Sequence, residues 1–195
     1  MQIKVAIPWA MAGMRALLGP GIVLAAREGA KGRWMALIVL VALVSDIFDG
    51  ILARRWGCDT PAVRLFDTVA DTIFYLGVAV AMWVYRQGVL RGVWVLLVVL
   101  GALEVLRYLY DFWKFGKGAS YHSYLAKTWG LVMGVAVIAI LGWGRWEPLL
   151  AVALVLGILC DVEGLAMSVI LPEWRNDVKS VWRAWGLRKS MMTRA

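Results

Sequence analysis

Six apolar stretches of roughly twenty residues recur along this 195-residue chain, and they leave few choices of fold. They lie at about 7–26, 34–54, 62–85, 92–113, 124–143 and 147–171. A hydrocarbon core about 30 Å thick is crossed by about 20 residues of α-helix, and every backbone amide in it must be satisfied within the segment. Six such runs predict an all-α integral membrane protein with six transmembrane helices. The composition agrees, since 62% of residues are hydrophobic and mean hydropathy is +0.74, more than a soluble domain of this size needs. No cleavable signal segment and no separate soluble domain are expected. Residues 1–172 read as the membrane domain and 173–195 as a basic tail. In that tail Trp174, Val178, Val181, Trp182 and Trp185 can share one helical face opposite arginine and lysine. This predicts a C-terminal amphipathic interfacial helix lying in the headgroup layer.

Six spans put both termini on one side. Of the 21 Lys and Arg residues, fifteen fall on the termini's side and six on the other. Basic loops stay cytoplasmic, so both termini are expected in the cytoplasm of a bacterial or archaeal inner membrane. The net charge of +8 is a topology and anionic-lipid signal. Nucleic acid is not an expected partner, because the basic residues sit at helix ends rather than along one stripe. Cys58 and Cys160 are far apart in the chain and in depth, so no disulfide is expected, and neither has metal-ligand company.

Acids at a membrane edge are costly and mark function. The segment from Asp46 to Asp71 holds four of them. Asp46 and Asp49 are spaced i,i+3 at the end of the second helix, and Asp67 and Asp71 are spaced i,i+4 at the start of the third. Each pair shares one helix face. A short turn makes the two helices antiparallel neighbours, so four carboxylates can converge near the cytoplasmic surface. Their mutual repulsion is resolved by divalent cations. Mg²⁺ or Mn²⁺ take oxygen ligands and keep positions open for phosphate. Two ions can clamp both oxygens of a displacement at phosphorus. Gly50 and Ala53 lack bulk on or near that face, and Arg54 supplies a forked donor for phosphate. The alternative for the acids is a salt-bridged helix-end cluster with Arg54, Arg55 and Arg64.

The segment resembles the signature of the CDP-alcohol phosphotransferases (CDP-alcohol phosphatidyltransferases), Asp-x2-Asp-Gly-x2-Ala-Arg-x8-Gly-x3-Asp-x3-Asp. Asp46, Asp49, Gly50, Ala53, Arg54, Asp67 and Asp71 match it in type and spacing, and Val63 stands where the second glycine would be. Elsewhere the resemblance is looser. Arg15 lies where the family often has an arginine after an Asn-x-Leu-Thr motif, but the asparagine and threonine are missing here. Lys127-Thr128 is similar to the family's Lys-Thr on the fifth helix. The resemblance implies a homodimeric membrane enzyme of phospholipid synthesis. It would move a substituted phosphoryl group from a CDP-alcohol, most often CDP-diacylglycerol, to a hydroxyl acceptor and release CMP. Asp46, Asp49, Asp67 and Asp71 would hold two divalent ions, with Asp71 also the base. Gly50, Ala53, Arg54 and Thr60 would contact the CDP part. Arg64, Arg107 and Lys127 are candidates for the acceptor pocket and favour a phosphorylated polyol such as glycerol phosphate or inositol phosphate. For Arg107 the simpler role is pairing with Glu104. Asp161 and Glu163, deep in the sixth helix, either line the acceptor cavity or pair with Arg15. Membrane prenyltransferases also use aspartate-rich motifs, but typically two of them. A non-catalytic cation- or lipid-binding or transport protein is the remaining alternative.

Overall fold

A computed structural model describes residues 2–58, 60–119, 121, 123–144, 147–175 and 177–192, without the side chains of 2–5, 53, 54, 61, 64, 65 and 68. All six apolar runs are helices: α1 (Gln2–Arg27), α2 (Gly32–Trp56), α3 (Pro61–Tyr85), α5 (Trp94–Phe115), α6 (Tyr124–Trp143) and α7 (Glu147–Ile170). A short helix, α4 (Gln87–Gly92), occupies the expected connection after α3, and α8 (Val181–Met192) forms in the tail. No strand occurs among the described residues. Four helical stretches are long and apolar enough to cross a bilayer, Ala6–Arg27, Gly32–Leu52, Tyr124–Trp143 and Glu147–Ile170, and Val69–Tyr85 is a shorter apolar stretch. Glu104, Arg107 and Asp111 all fall within α5, which is not among these four. Leu17, Leu76, Leu109 and Trp113 are largely exposed, as side chains facing lipid would be.

The chain forms two compact units, Met1–Gly92 with Val137–Glu147, and Val93–Ala136 with Pro148–Ala195. In the first, α1 and α3 meet backbone to backbone. A Cβ added at Gly19 would lie 2.7 Å from the Ile73 carbonyl oxygen, and one at Gly77 would lie 2.8 Å from Gly19 Cα. Small residues allow this approach, which dispersion and close packing stabilise where no hydrophobic effect operates between helices. The same device brings α2 onto the end of α6, where a Cβ at Gly142 would reach the Ala36 methyl at 3.2 Å. Gly77→Val should therefore separate α1 from α3. A cost of about 3 kcal/mol is expected, because backbone rather than a side chain must yield. Thermal unfolding in detergent would register it as a lowered midpoint, and an unchanged midpoint would contradict this packing.

The second unit is tied by a buried polar cluster. Ser168 Oγ donates to Asp111 Oδ1, Tyr121 hydroxyl and Ser168 Oγ lie 2.8 Å apart, and the Ala119 amide donates to Asp111 Oδ2 at 3.2 Å. Lys114 Nζ donates to the Ser168 and Val169 carbonyls at 2.8 and 3.0 Å, satisfying groups that the end of α7 leaves without amide partners.

The tail departs from the expected single amphipathic helix. Pro172 follows α7, Asp177 adopts a left-handed φ of 56°, and helix resumes only at Val181, where the Ser180 hydroxyl accepts from the Arg183 amide. Val178 turns inward to join Tyr121, Met167, Leu171 and Ala184 in the core, and Trp174 Nε1 donates to the Gly118 carbonyl at 3.0 Å. Trp182 and Trp185 alone of the five expected face residues point outward, 86% and 59% exposed, on α8. Burial of Val178 outweighs the helical periodicity, because the core supplies an apolar surface for it.

Candidate active site

The turn between α2 and α3 positions the acids. Gly57, at φ 66°, ends α2 in the left-handed region that glycine occupies without a steric penalty. Thr60 is extended and caps α3, its Oγ1 accepting from the Val63 amide at 3.3 Å, with Pro61 at a first-turn position that needs no amide donor. Asp49 lies eight residues before Gly57 and Asp67 seven after Thr60. At 1.5 Å per residue both stand about 11 Å from the turn, at one level. Thr60, expected to contact the donor, also caps the helix, and Thr60→Ala should cost about 1 kcal/mol of stability, readable as a lowered melting temperature.

One oxygen each from Asp46, Asp49 and Asp67 lies within 4.8 Å of the others, a spacing one cation can bridge. Asp71 is outside that trio but joined to it through Arg15. Arg15 Nη1 contacts Asp46 Oδ1 at 3.1 Å and Asp49 Oδ2 at 3.0 Å, Nη2 contacts Asp67, and Nε lies 2.6 Å from Asp71 Oδ1. One guanidinium therefore links acids from two other helices to α1. Its place follows from the α1–α3 contact, since Arg15 lies one helical turn before Gly19. The side chains of Arg15 and Asp49 are 2% and 4% exposed and form the floor, whereas Asp46, Asp67 and Asp71 are 34%, 35% and 27% exposed and form an open rim.

The donor set fits a hard divalent cation. It consists of carboxylate oxygens alone, and among the described side chains four acids meet one arginine. Among the described side chains, the cation at the acids is Arg15. Arg55 is exposed, and the side chains of Ala53, Arg54 and Arg64 lie outside the described residues. Gly50 is half-buried on α2, and Val63 is buried in the first turn of α3.

The remaining expected residues belong to the second unit. Arg107 Nη2 donates to Glu104 Oε1 at 2.7 Å, and its Nε lies 3.6 Å from Asp161 Oδ1. The simpler reading of Arg107 is thus realised, and a Cβ at Gly164 would collide with the arginine stem at 3.0 Å. Asp161 takes Arg107 as its cation, which corrects the expected pairing with Arg15. Asp161 Oδ2 and Glu163 Oε2 are buried without a hydrogen-bond partner. Lys127 is exposed in the first turn of α6. Sequence reasoning missed Arg15 as a member of the acid cluster. Its signals were a lone arginine eight residues inside an otherwise apolar run and its match to an arginine position of the resembled family.

The family model described as CDP-alcohol phosphatidyltransferase matches residues 5–162. Curated relatives include the CDP-diacylglycerol–glycerol-3-phosphate 3-phosphatidyltransferases of Escherichia coli strain K12, Shigella flexneri serotype 5b and Shigella sonnei. Each is 36% identical over 118 residues, 58% of this chain and 60% of the relative. The match therefore spans less than two-thirds of the relatives' length. No solved structure matches the chain.

Proposed function

Because the chain belongs to the CDP-alcohol phosphatidyltransferase family, we propose that it transfers a phosphatidyl group from a CDP-alcohol such as CDP-diacylglycerol to a hydroxyl acceptor and releases CMP. The observation that carries this reading is the convergence of Asp46, Asp49 and Asp67 around one point, with Asp71 beside them on the same guanidinium. Asp46, Asp49 and Asp67, with Asp71, would hold two divalent ions, Mg²⁺ or Mn²⁺. When bound, such ions supply positive charge to the pyrophosphate and to the departing CMP. Arg54, with Gly50 and Ala53, binds the donor's phosphates and nucleotide.

Asp71 Oδ1 pairs with Arg15 at 2.6 Å from Nε, and the Asp71 carboxylate takes the acceptor's hydroxyl proton. The acceptor oxygen then attacks the phosphorus that bears the lipid, the bond from that phosphorus to the CMP oxygen breaks, and CMP leaves. The relatives' printed name points to glycerol 3-phosphate as acceptor. Lys127 is the candidate on the second unit for its phosphate, since Arg107 there is engaged by two acids.

The same reading holds all six long helices as membrane spans, with α8 at the interface, residues 173–195 as a cytoplasmic tail, the active site at the cytoplasmic side of an inner membrane, and a homodimer as the working form. Detergent-solubilised protein given labelled CDP-diacylglycerol, Mn²⁺ and a panel of polyols tests it. CMP release that requires an acceptor, greatest with glycerol 3-phosphate, is the expected result. No release with any acceptor would leave a non-catalytic cation- or lipid-binding protein.

A further inference from the structure

An arginine at 1% exposure inside an apolar helix must be neutralised by its neighbours. Arg15 draws on all four aspartates of the candidate site, through three different nitrogens. It sits where a cation is wanted, among acids that carry the metal reading. We propose that Arg15 is a resident counter-cation that competes with divalent ions for Asp46, Asp49, Asp67 and Asp71, so that the free enzyme binds metal weakly. The inference rests on the proposed metal role of these acids.

Two features make the competition unavoidable. The first is that Arg15 cannot leave with its helix. One turn later α1 is pinned to α3, where Gly19 and Gly77 touch backbone to backbone. The second is that the site opens on the other side. Asp46, Asp67 and Asp71 are the exposed rim, so an entering ion approaches from there and meets the guanidinium on the floor beside Asp49. An ion bridging carboxylates that already lie about 3 Å from Arg15 shares its ligands with a like charge. Each ion pair it disturbs, and the repulsion itself, counts against metal binding.

The charge balance shows what this arrangement achieves. Counted over the described side chains that meet there, four ionised acids and Arg15 sum to three negative charges. Two divalent ions would turn that into one positive charge, the sign a pyrophosphate requires. Without Arg15 two ions would only neutralise the acids. Arg15 therefore lowers affinity for metal alone and favours metal together with an anionic donor. Before metal arrives, it also holds three helices together at the acids. Arg15 is a positioning residue in this account, since it acts through the aspartates.

The test is Mn²⁺ binding by the full chain in detergent without substrate, followed through the free-ion electron paramagnetic resonance signal. Arg15→Gln removes the charge and keeps a hydrogen-bonding group. It should bind Mn²⁺ at least tenfold more tightly than wild type while melting at a lower temperature when metal-free. Arg15→Lys keeps the charge and should stay within threefold of wild type. A purely structural arginine would lower the melting temperature without tightening Mn²⁺ binding. Equal or weaker binding by a folded Arg15→Gln, with wild type still binding, overturns the competition and leaves the metal reading standing. No Mn²⁺ binding by wild type or either variant removes both. If Arg15→Gln does not fold, wild type labelled with ¹⁵N-arginine decides. Mg²⁺ should shift the most slowly exchanging arginine Nε–H resonance, and a resonance unmoved by saturating Mg²⁺ overturns the proposal.

Discussion

Asp71→Asn should reduce CMP release by about 10³-fold, the middle of the range for losing a general base, while Mn²⁺ affinity falls far less. The amide is nearly isosteric with the carboxylate, so it can keep its place beside Arg15 Nε, which lies 2.6 Å from Asp71 Oδ1. What it loses is an atom able to take a proton. The loss should appear in kcat rather than in KM, because the groups on α2 proposed to bind the donor are untouched. Two assays separate the roles: single-turnover CMP release at saturating substrates, and Mn²⁺ titration of the same sample. A variant that binds Mn²⁺ normally and keeps a tenth or more of the wild-type rate would take the base role away from Asp71.

The second large effect is expected at Asp49. It is the most buried of the four acids, 4% exposed, and is held by Arg15 Nη1 at 3.0 Å. It is also one of the three whose oxygens converge within 4.8 Å. Asp49→Asn replaces a charged ligand with a neutral one at the floor of the site. Mn²⁺ affinity should fall on the order of 100-fold or more, since even removal of groups that merely orient a ligand costs 10–100-fold. Activity should vanish at micromolar metal and return in part at millimolar metal, which distinguishes a lost ligand from a lost base. Asp71→Asn should show no such rescue. Equal metal dependence in the two variants would mean that the acids do not divide their work in this way.

The helices were legible for a simple reason. In a bilayer each span must satisfy its own backbone, so length and hydropathy nearly suffice to draw it. The six long helices accordingly fall where the apolar runs do, to within a few residues at most ends. The acid pairs were legible for a local reason. Spacings of three and four residues place side chains on one face, and Gly57 and Thr60-Pro61 bring the two faces to one level across a short turn.

The tail and the floor of the site were decided elsewhere. Periodicity alone cannot tell whether Trp174 and Val178 lie on a membrane-facing stripe or pack on their own protein. The core that Tyr121, Met167 and Leu171 offer settles that, and it comes from distant parts of the chain. Arg15 is the stronger case. In the sequence it is one basic residue in an apolar run, 31 positions before the nearest acid of the cluster, and no spacing ties it to them. It joins the aspartates only because Gly19 and Gly77 let α1 and α3 close to backbone contact. The sequence by itself thus determined the helices, the four acids and their shared face, since these depend on spacing along one short segment. Only the tertiary structure decided that Arg15 meets them, because that depends on how closely two helices far apart in the chain can approach.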